Sequence, residues 1–140
     1  MEHLLQKVAL DSCVVIELMD RPYQAQKLRD KFHGKPICIV LCDVVLREVQ
    51  KIRGFDPRKV ISQITKLLGR KVEIVSIHAE QKILAESVTD KYQICHKGDN
   101  LILALCQTKD YVLITFDKML LRSCEFAGIA AFHPSMAGGI

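Results

Sequence analysis

A chain of 140 residues, 49% hydrophobic and 26% charged, has room for a single domain with a sizeable core. Its formal charge of +4 permits a nucleic-acid partner without requiring one. No apolar run is long enough for a membrane helix, and Met1-Glu2-His3 leads towards a strand without a signal peptide, so a cytoplasmic protein with no membrane association is expected.

In chain order, Gln6 to Leu10 predicts a first strand that ends at Asp11. A helix follows, with Val14, Val15 and Leu18 at i+3, i+4 and i+7 from Asp11 and Ser12 as a candidate cap. Asp20-Arg21-Pro22 breaks it, and Tyr23 to Phe32 predicts another helix. Gly34 and Pro36 punctuate the chain before the apolar strand Ile37 to Leu41. Asp43 is a candidate N-cap for a helix over Val44 to Ile52, whose inward positions Val45, Val49 and Ile52 share a face with Glu48. Gly54 ends that element, and Asp56 with Pro57 opens a helix through Leu68, closed by Gly69. Val72 to Ile77 predicts a third strand, Ala79 to about Tyr92 an amphipathic helix, and Lys91 to Gly98 a loop carrying His96 and Lys97.

The next stretch repeats the opening pattern. Asp99 heads an almost wholly apolar helix, Tyr111 to Thr115 predicts a fourth strand, and Asp117 heads a helix that Gly128 stops. A short final strand leads to Pro134–Ile140, which reads as a frayed tail. The domain is therefore expected over residues 1–133, with a flexible tail at 134–140. Alternating apolar strands and helices predict a three-layer α/β/α sandwich around a central, mainly parallel sheet. The cysteines lie mostly inside apolar runs and read as reduced core thiols. Cys38-x3-Cys42 and Cys95-His96 lack the paired spacing of a zinc site.

Four acids stand out. Asp99 and Asp117 are each followed at i+3, i+4 and i+7 by apolar residues, as Asp11 is, which puts each carboxylate at the head of a buried stripe. Glu48 lies on the inward face of its helix. Asp11 and Asp117 follow strands one and four, and in a parallel sheet those ends share the edge where ligands bind. Crowded carboxylates repel, and a hard divalent cation such as Mg²⁺ or Mn²⁺ resolves the conflict. Taken singly, Asp11, Asp99 and Asp117 are also compatible with simple helix caps, and Glu48 with a surface pair to Lys51.

The ordered set resembles the PIN-domain nucleases: Asp11 in ALDSCVVIEL, Glu48 in VVLREV, Asp99 in GDNLILALC and Asp117 in LITFDKMLLRSCEFAGI. Thr115-Phe116-Asp117 is similar to the family's Thr-x-Asp after strand four, and nearly the whole chain matches in order and length. The chain looks like the compact, stand-alone type found in VapC-like toxins. The resemblance implies a Mg²⁺- or Mn²⁺-dependent endoribonuclease in which Asp11, Glu48, Asp99 and Asp117 hold one or two metals. Ser12 and Thr115 would orient a ligand or water. It also implies an RNA substrate, an antitoxin protein and a homodimer as partners. Some family members carry a further acid soon after the last Asp, where this chain has Lys118 and Met119, a departure that bears on a second metal.

Arg47, Lys51, Lys97, Lys118 and Arg122 are each near an acid in sequence and are candidate RNA phosphate contacts. Tyr23, Tyr92 and Phe116 are candidate base-stacking groups. His78, His96 and His133 read as structural or surface residues. Two other functions fit parts of the pattern. One is a PIN-fold RNA- or protein-binding module without catalysis. The other is a receiver-type domain, which expects an acceptor Asp after strand three, where this chain has Ser76-Ile77-His78.

Overall fold

The computed structural model describes residues 5–92 and 97–140, with side chains at 5–87 and 99–140. β1 (Gln6–Leu10) pairs with β2 (Ile37–Cys42) on one side and β4 (Val112–Ile114) on the other. β3 (Val72–Val75) continues beyond β2 and β5 (Ala131–Phe132) beyond β4. Among the described residues this gives a five-stranded sheet of order β3-β2-β1-β4-β5, parallel at every pairing. The whole of β2 and β4 is buried, as expected for strands covered on both faces.

The helices supply the cover. α1 (Ser12–Asp20) and α2 (Ala25–Phe32) join β1 to β2, with the 3₁₀ turn Pro22–Gln24 between them, and α3 (Asp43–Arg53) and α4 (Pro57–Leu68) join β2 to β3. These four pack on one another in one layer. α5 (Ala79–Tyr92), α6 (Lys97–Lys109) and α7 (Lys118–Ala127) belong to the later crossovers, which run the other way across the sheet and so, being right-handed, lie on the opposite face. One core joins the layers through fully buried Leu10, Ile39, Ile64, Leu103 and Leu113.

Caps explain several boundaries. Asp56 accepts from the Arg58 N–H at 2.8 Å, with Pro57 at the first helical position of α4. α7 ends at Gly128, whose φ of 73° lies in the left-handed region that costs a side-chain-bearing residue about 1–2 kcal/mol.

Other expectations need correction. Asp43 is not an N-cap: it is the first residue of α3, and its Oδ1 accepts the Ile77 N–H at 3.2 Å. The β3 strand ends at Val75, two residues before that bond, and leaves Ile77 outside it. Ile52 is 49% exposed, because the inward stripe of α3 runs through Val45, Leu46 and Val49 instead. The expected frayed tail is a 3₁₀ helix, Pro134–Gly139, with Ala137 fully buried. Lys35 Nζ holds it by donating to the carbonyls of Gly138 at 2.6 Å and Ile140 at 2.5 Å. The expected 91–98 loop is partly helical, since α5 reaches Tyr92 and α6 begins at Lys97; His96 lies outside the described residues.

Candidate carboxylate site

The strand order reverses between β1 and β4, so a crevice forms at their C-terminal ends. Register places Leu10 opposite Ile114, and the Asp11 N–H donates to the Ile114 carbonyl at 3.0 Å. The residues that follow are therefore held side by side: Asp11 after β1, Thr115 and Asp117 after β4.

Asp11 is buried and caps α1, its Oδ1 accepting from the Ser12 N–H at 2.8 Å. Its Oδ2 accepts from the Thr115 hydroxyl at 2.7 Å. Having spent its proton on Asp11, the same hydroxyl accepts the Asp117 N–H at 3.0 Å. Thr115, fully buried, thus fixes two acids with one oxygen. Asp117 caps α7 through Oδ1, which accepts from the N–H groups of Met119 at 2.9 Å and Leu120 at 3.2 Å. Capping and site membership are therefore compatible readings of Asp11 and Asp117, because each cap engages one carboxylate oxygen.

Asp99 differs. It is the third residue of α6 and so lies inside the first turn, past the N-cap position. Its carboxyl is pushed up to about 8, first by burial, then by the charges of Asp11 and Asp117, a hydrogen bond with Asp117, and the charge of Glu48. Protonated Asp99 is the donor of that bond at neutral pH. Glu48 reaches the group from α3, where its Oε1 accepts from the Ser12 hydroxyl at 3.1 Å. It forms no ion pair with Lys51 among the described residues. Acids from four separate stretches therefore share one electrostatic neighbourhood. Three of them stand at helix N-termini, whose partial positive charge lessens the mutual repulsion without cancelling it.

Cys13 belongs to the same wall, which its apolar sequence context conceals. Its thiol donates to Asp11 Oδ2 at 3.4 Å and accepts the Phe116 N–H at 3.5 Å. Burial and the Asp11 charge push it up to about 11, so it stays a thiol. Its position two residues after Asp11, at the head of a helix, is the signal that marks it. The other described cysteines are free and buried; Cys38 and Cys42 lie within β2, and Cys95 is outside the described residues.

Asp11, Glu48, Asp99 and Asp117 offer an all-oxygen donor set, which fits a hard divalent cation and not a soft one. Among the described residues no three His, Cys, Asp or Glu side chains stand close enough together, as placed, to hold a metal ion. Asp11 and Glu48 are instead held by Thr115 and Ser12, and Asp99 by a hydrogen bond with Asp117. The charge crowding is the better guide to fit, because the strain it imposes on Asp99 is what a bound cation would relieve.

Of the candidate cations, Arg47, Lys51, Lys118 and Arg122 are exposed, and the side chain of Lys97 lies outside the described residues. Arg47 pairs with Asp43 at 3.7 Å. Lys118 directly follows Asp117, and Arg122 lines the same surface groove one turn further along α7. Arg47 and Lys51 lie on α3 and flank Glu48 in sequence. Tyr23 is 70% exposed in the turn before α2, and the Tyr92 side chain is outside the described residues. Phe116 and His133 meet edge to face with ring centres 5.2 Å apart.

A protein-family model described as PIN domain matches residues 8–125. No curated protein matches the sequence. The fold is similar to VapBC2 from Rickettsia felis, solved bound to a promoter DNA fragment, with a TM-score of 0.68 and 14% identity over 91% of this chain and 98% of that one. It is similar to VapBC-1 from nontypeable Haemophilus influenzae, with a TM-score of 0.68 and 15% identity over 93% of this chain and 99% of that one. A toxin-antitoxin complex from Klebsiella pneumoniae gives a TM-score of 0.63 and 19% identity over 91% and 97%.

Proposed function

This chain belongs to the PIN-domain family, and from that premise we propose that it is a metal-dependent endoribonuclease. The observation that carries this reading is the convergence of four acids from distant parts of the chain, felt most strongly at Asp99. In this reading Asp11, Glu48, Asp99 and Asp117 hold one or two Mg²⁺ or Mn²⁺ ions. A bound cation supplies the Lewis acidity that polarises the phosphodiester and makes water a competent nucleophile near neutral pH. The protein does the rest. Thr115 fixes the bearing of Asp11 and of the Asp117 backbone; Ser12 fixes Glu48. Asp99 gives up its proton when it ligates. Arg47, Lys51, Lys97, Lys118 and Arg122 position the strand through its phosphates.

The fold likeness to VapBC and toxin-antitoxin complexes supports a toxin role with an antitoxin protein as partner; the homodimer is what the resemblance to VapC-like toxins implies. An RNA-processing nuclease uses the same site and the same chemistry. No described helix is long and apolar enough to cross a membrane; the cytoplasm is the compartment this reading assigns.

The test is cleavage of single-stranded and structured RNAs in Mg²⁺, Mn²⁺ or EDTA. Cleavage is expected with metal and absent in EDTA. Asp11→Asn and Asp117→Asn should each lose more than the roughly 10–100-fold typical of groups that merely orient a ligand, while Asp56→Asn, a helix cap outside the cluster, stays active. Undiminished cleavage in EDTA, or wild-type turnover by Asp11→Asn, would overturn the reading. RNA binding that is indifferent to EDTA, without cleavage in any metal, would instead favour a non-catalytic RNA-binding module.

A further inference from the structure

We propose that the cavity beside Phe116 is a nucleobase subsite, which receives a base of the RNA strand next to the phosphate held at the carboxylate site; the proposal rests on the nuclease reading above. The cavity measures about 560 Å³ and lies between α1, α2, the turn after β4 and the C-terminal 3₁₀ helix. That volume falls within the roughly 300–1,000 Å³ of small-molecule sites.

Its position is what points to the substrate. Phe116 lines the cavity and sits between Thr115 and Asp117, two residues of the carboxylate group. Val14, one turn into the helix that Asp11 caps, lines it too. The cavity therefore adjoins the carboxylate group through Phe116 and Val14.

The lining has the chemistry of a base site. Val14, Leu18 and Leu28 make an apolar floor, and the Phe116 and His133 rings stand against each other at 80° as a wall. Phe116 is 37% exposed, so its ring is open to a ligand, and base–aromatic stacking is tolerant of sequence. The His133 tautomer is set by its neighbour: Nδ1 accepts the Ser135 N–H at 3.1 Å, which leaves the proton of the neutral ring on Nε2. That N–H is a hydrogen-bond donor for a base. At the rim, Lys27 and Lys31 are one helical turn apart on α2 and form no ion pair among the described residues. The nearby acids are partly engaged, Asp30 by Gln26 at 2.7 Å and Glu17 by Arg21 at 3.3 Å. Unpaired cations beside an apolar slot suit a base with its flanking phosphate.

The test crosses protein variants with abasic substrates. A short RNA with one cleavage position is made with an abasic ribonucleotide at each neighbouring nucleotide in turn, and kcat/KM is measured for wild type, Phe116→Ala and His133→Ala. Removal of one particular base should lower wild-type kcat/KM by about tenfold. Each variant should lose a similar factor on intact RNA and then be indifferent to that abasic site. Lys27→Ala, remote from the acids, should weaken binding of the intact RNA in EDTA. A penalty-free set of abasic substrates, or a penalty undiminished in both variants, overturns the proposal while leaving the nuclease standing; the latter result would assign Phe116 to another occupant such as a peptide. Wild type that cleaves nothing, yet in EDTA binds intact RNA more tightly than the abasic form in a Phe116-dependent manner, removes the nuclease and keeps the subsite. A protein that neither cleaves nor binds RNA removes both.

Discussion

Asp99 carries the site's electrostatic strain in a form that can be titrated. Its ordinary value of 3.8 in the unfolded chain rises to about 8 in the fold. Between those two values the folded protein holds a proton that the unfolded chain has lost, so stability falls as pH rises across that window and levels off above it. Metal-free protein should therefore melt higher at pH 6 than at pH 8. Asp99→Asn should flatten that dependence and melt a few degrees above wild type at pH 8, as followed by circular dichroism in EDTA. An unchanged pH slope in the variant would place the strain elsewhere. Cation binding must displace the same proton. Calorimetry of Mg²⁺ or Mn²⁺ binding near pH 7 in buffers of different ionisation enthalpy should accordingly register proton release from wild type and less from Asp99→Asn.

At the scale of elements, the site depends on a strap between the ends of β1 and β4. Thr115 donates to Asp11 and accepts from the Asp117 N–H, so Thr115→Val keeps the shape, strands the Asp117 N–H and leaves Asp11 Oδ2 with the Cys13 thiol alone among the described residues. A loss of about 1–3 kcal/mol is expected from the unpaired groups, read as a lower urea midpoint. Activity should fall with it, and Thr115→Ser should restore most of both. Near wild-type stability in Thr115→Val would show that water replaces the hydroxyl. The strap also marks the limit of what the sequence makes legible. Acid-headed apolar stripes, the Asp56-Pro57 start of α4 and the apolar strands are local patterns, and the all-parallel PIN-like sheet follows from them. Long-range partners are not local. Nothing near Ser12 announces Glu48, and nothing near Asp43 announces the Ile77 N–H that lies just past β3. The tail reads as frayed because its small residues hide a remote anchor, Lys35. Phe116 is legible as a base-stacking candidate, yet its cavity is made by α1, α2 and the C-terminal helix, which only tertiary packing brings to it.

For the whole molecule, a net charge of +4 surrounds a knot of negative charge. Such a body attracts a polyanion at long range and needs cations locally to admit one at the acids. Lys118 and Arg122 are exposed along the first turns of α7 and line one groove, and the nuclease reading gives them the strand's phosphates. Lys118→Ala and Arg122→Ala should each lower the magnitude of the slope of log K against log salt by about one unit or less. The measurement is fluorescence anisotropy of a labelled RNA in EDTA from low to moderate salt. An unchanged slope would make either side chain a solvated part of the helix face.

The central place of β1 has a consequence for how the protein is made. Its β2 partner arrives early in the chain, whereas the Thr115 hydroxyl that fixes Asp11 lies 104 residues away. Closing that longer loop costs only about 1 kcal/mol more than closing the shorter one, so thermodynamics barely notices the difference. Synthesis does notice it. A ribosome-bound chain that has completed β1, β2 and their helices presents Asp11 and Glu48 without Asp99, Thr115 or Asp117. The last strap closes after most of the polypeptide has emerged, so the nascent protein carries an incomplete site through most of its synthesis.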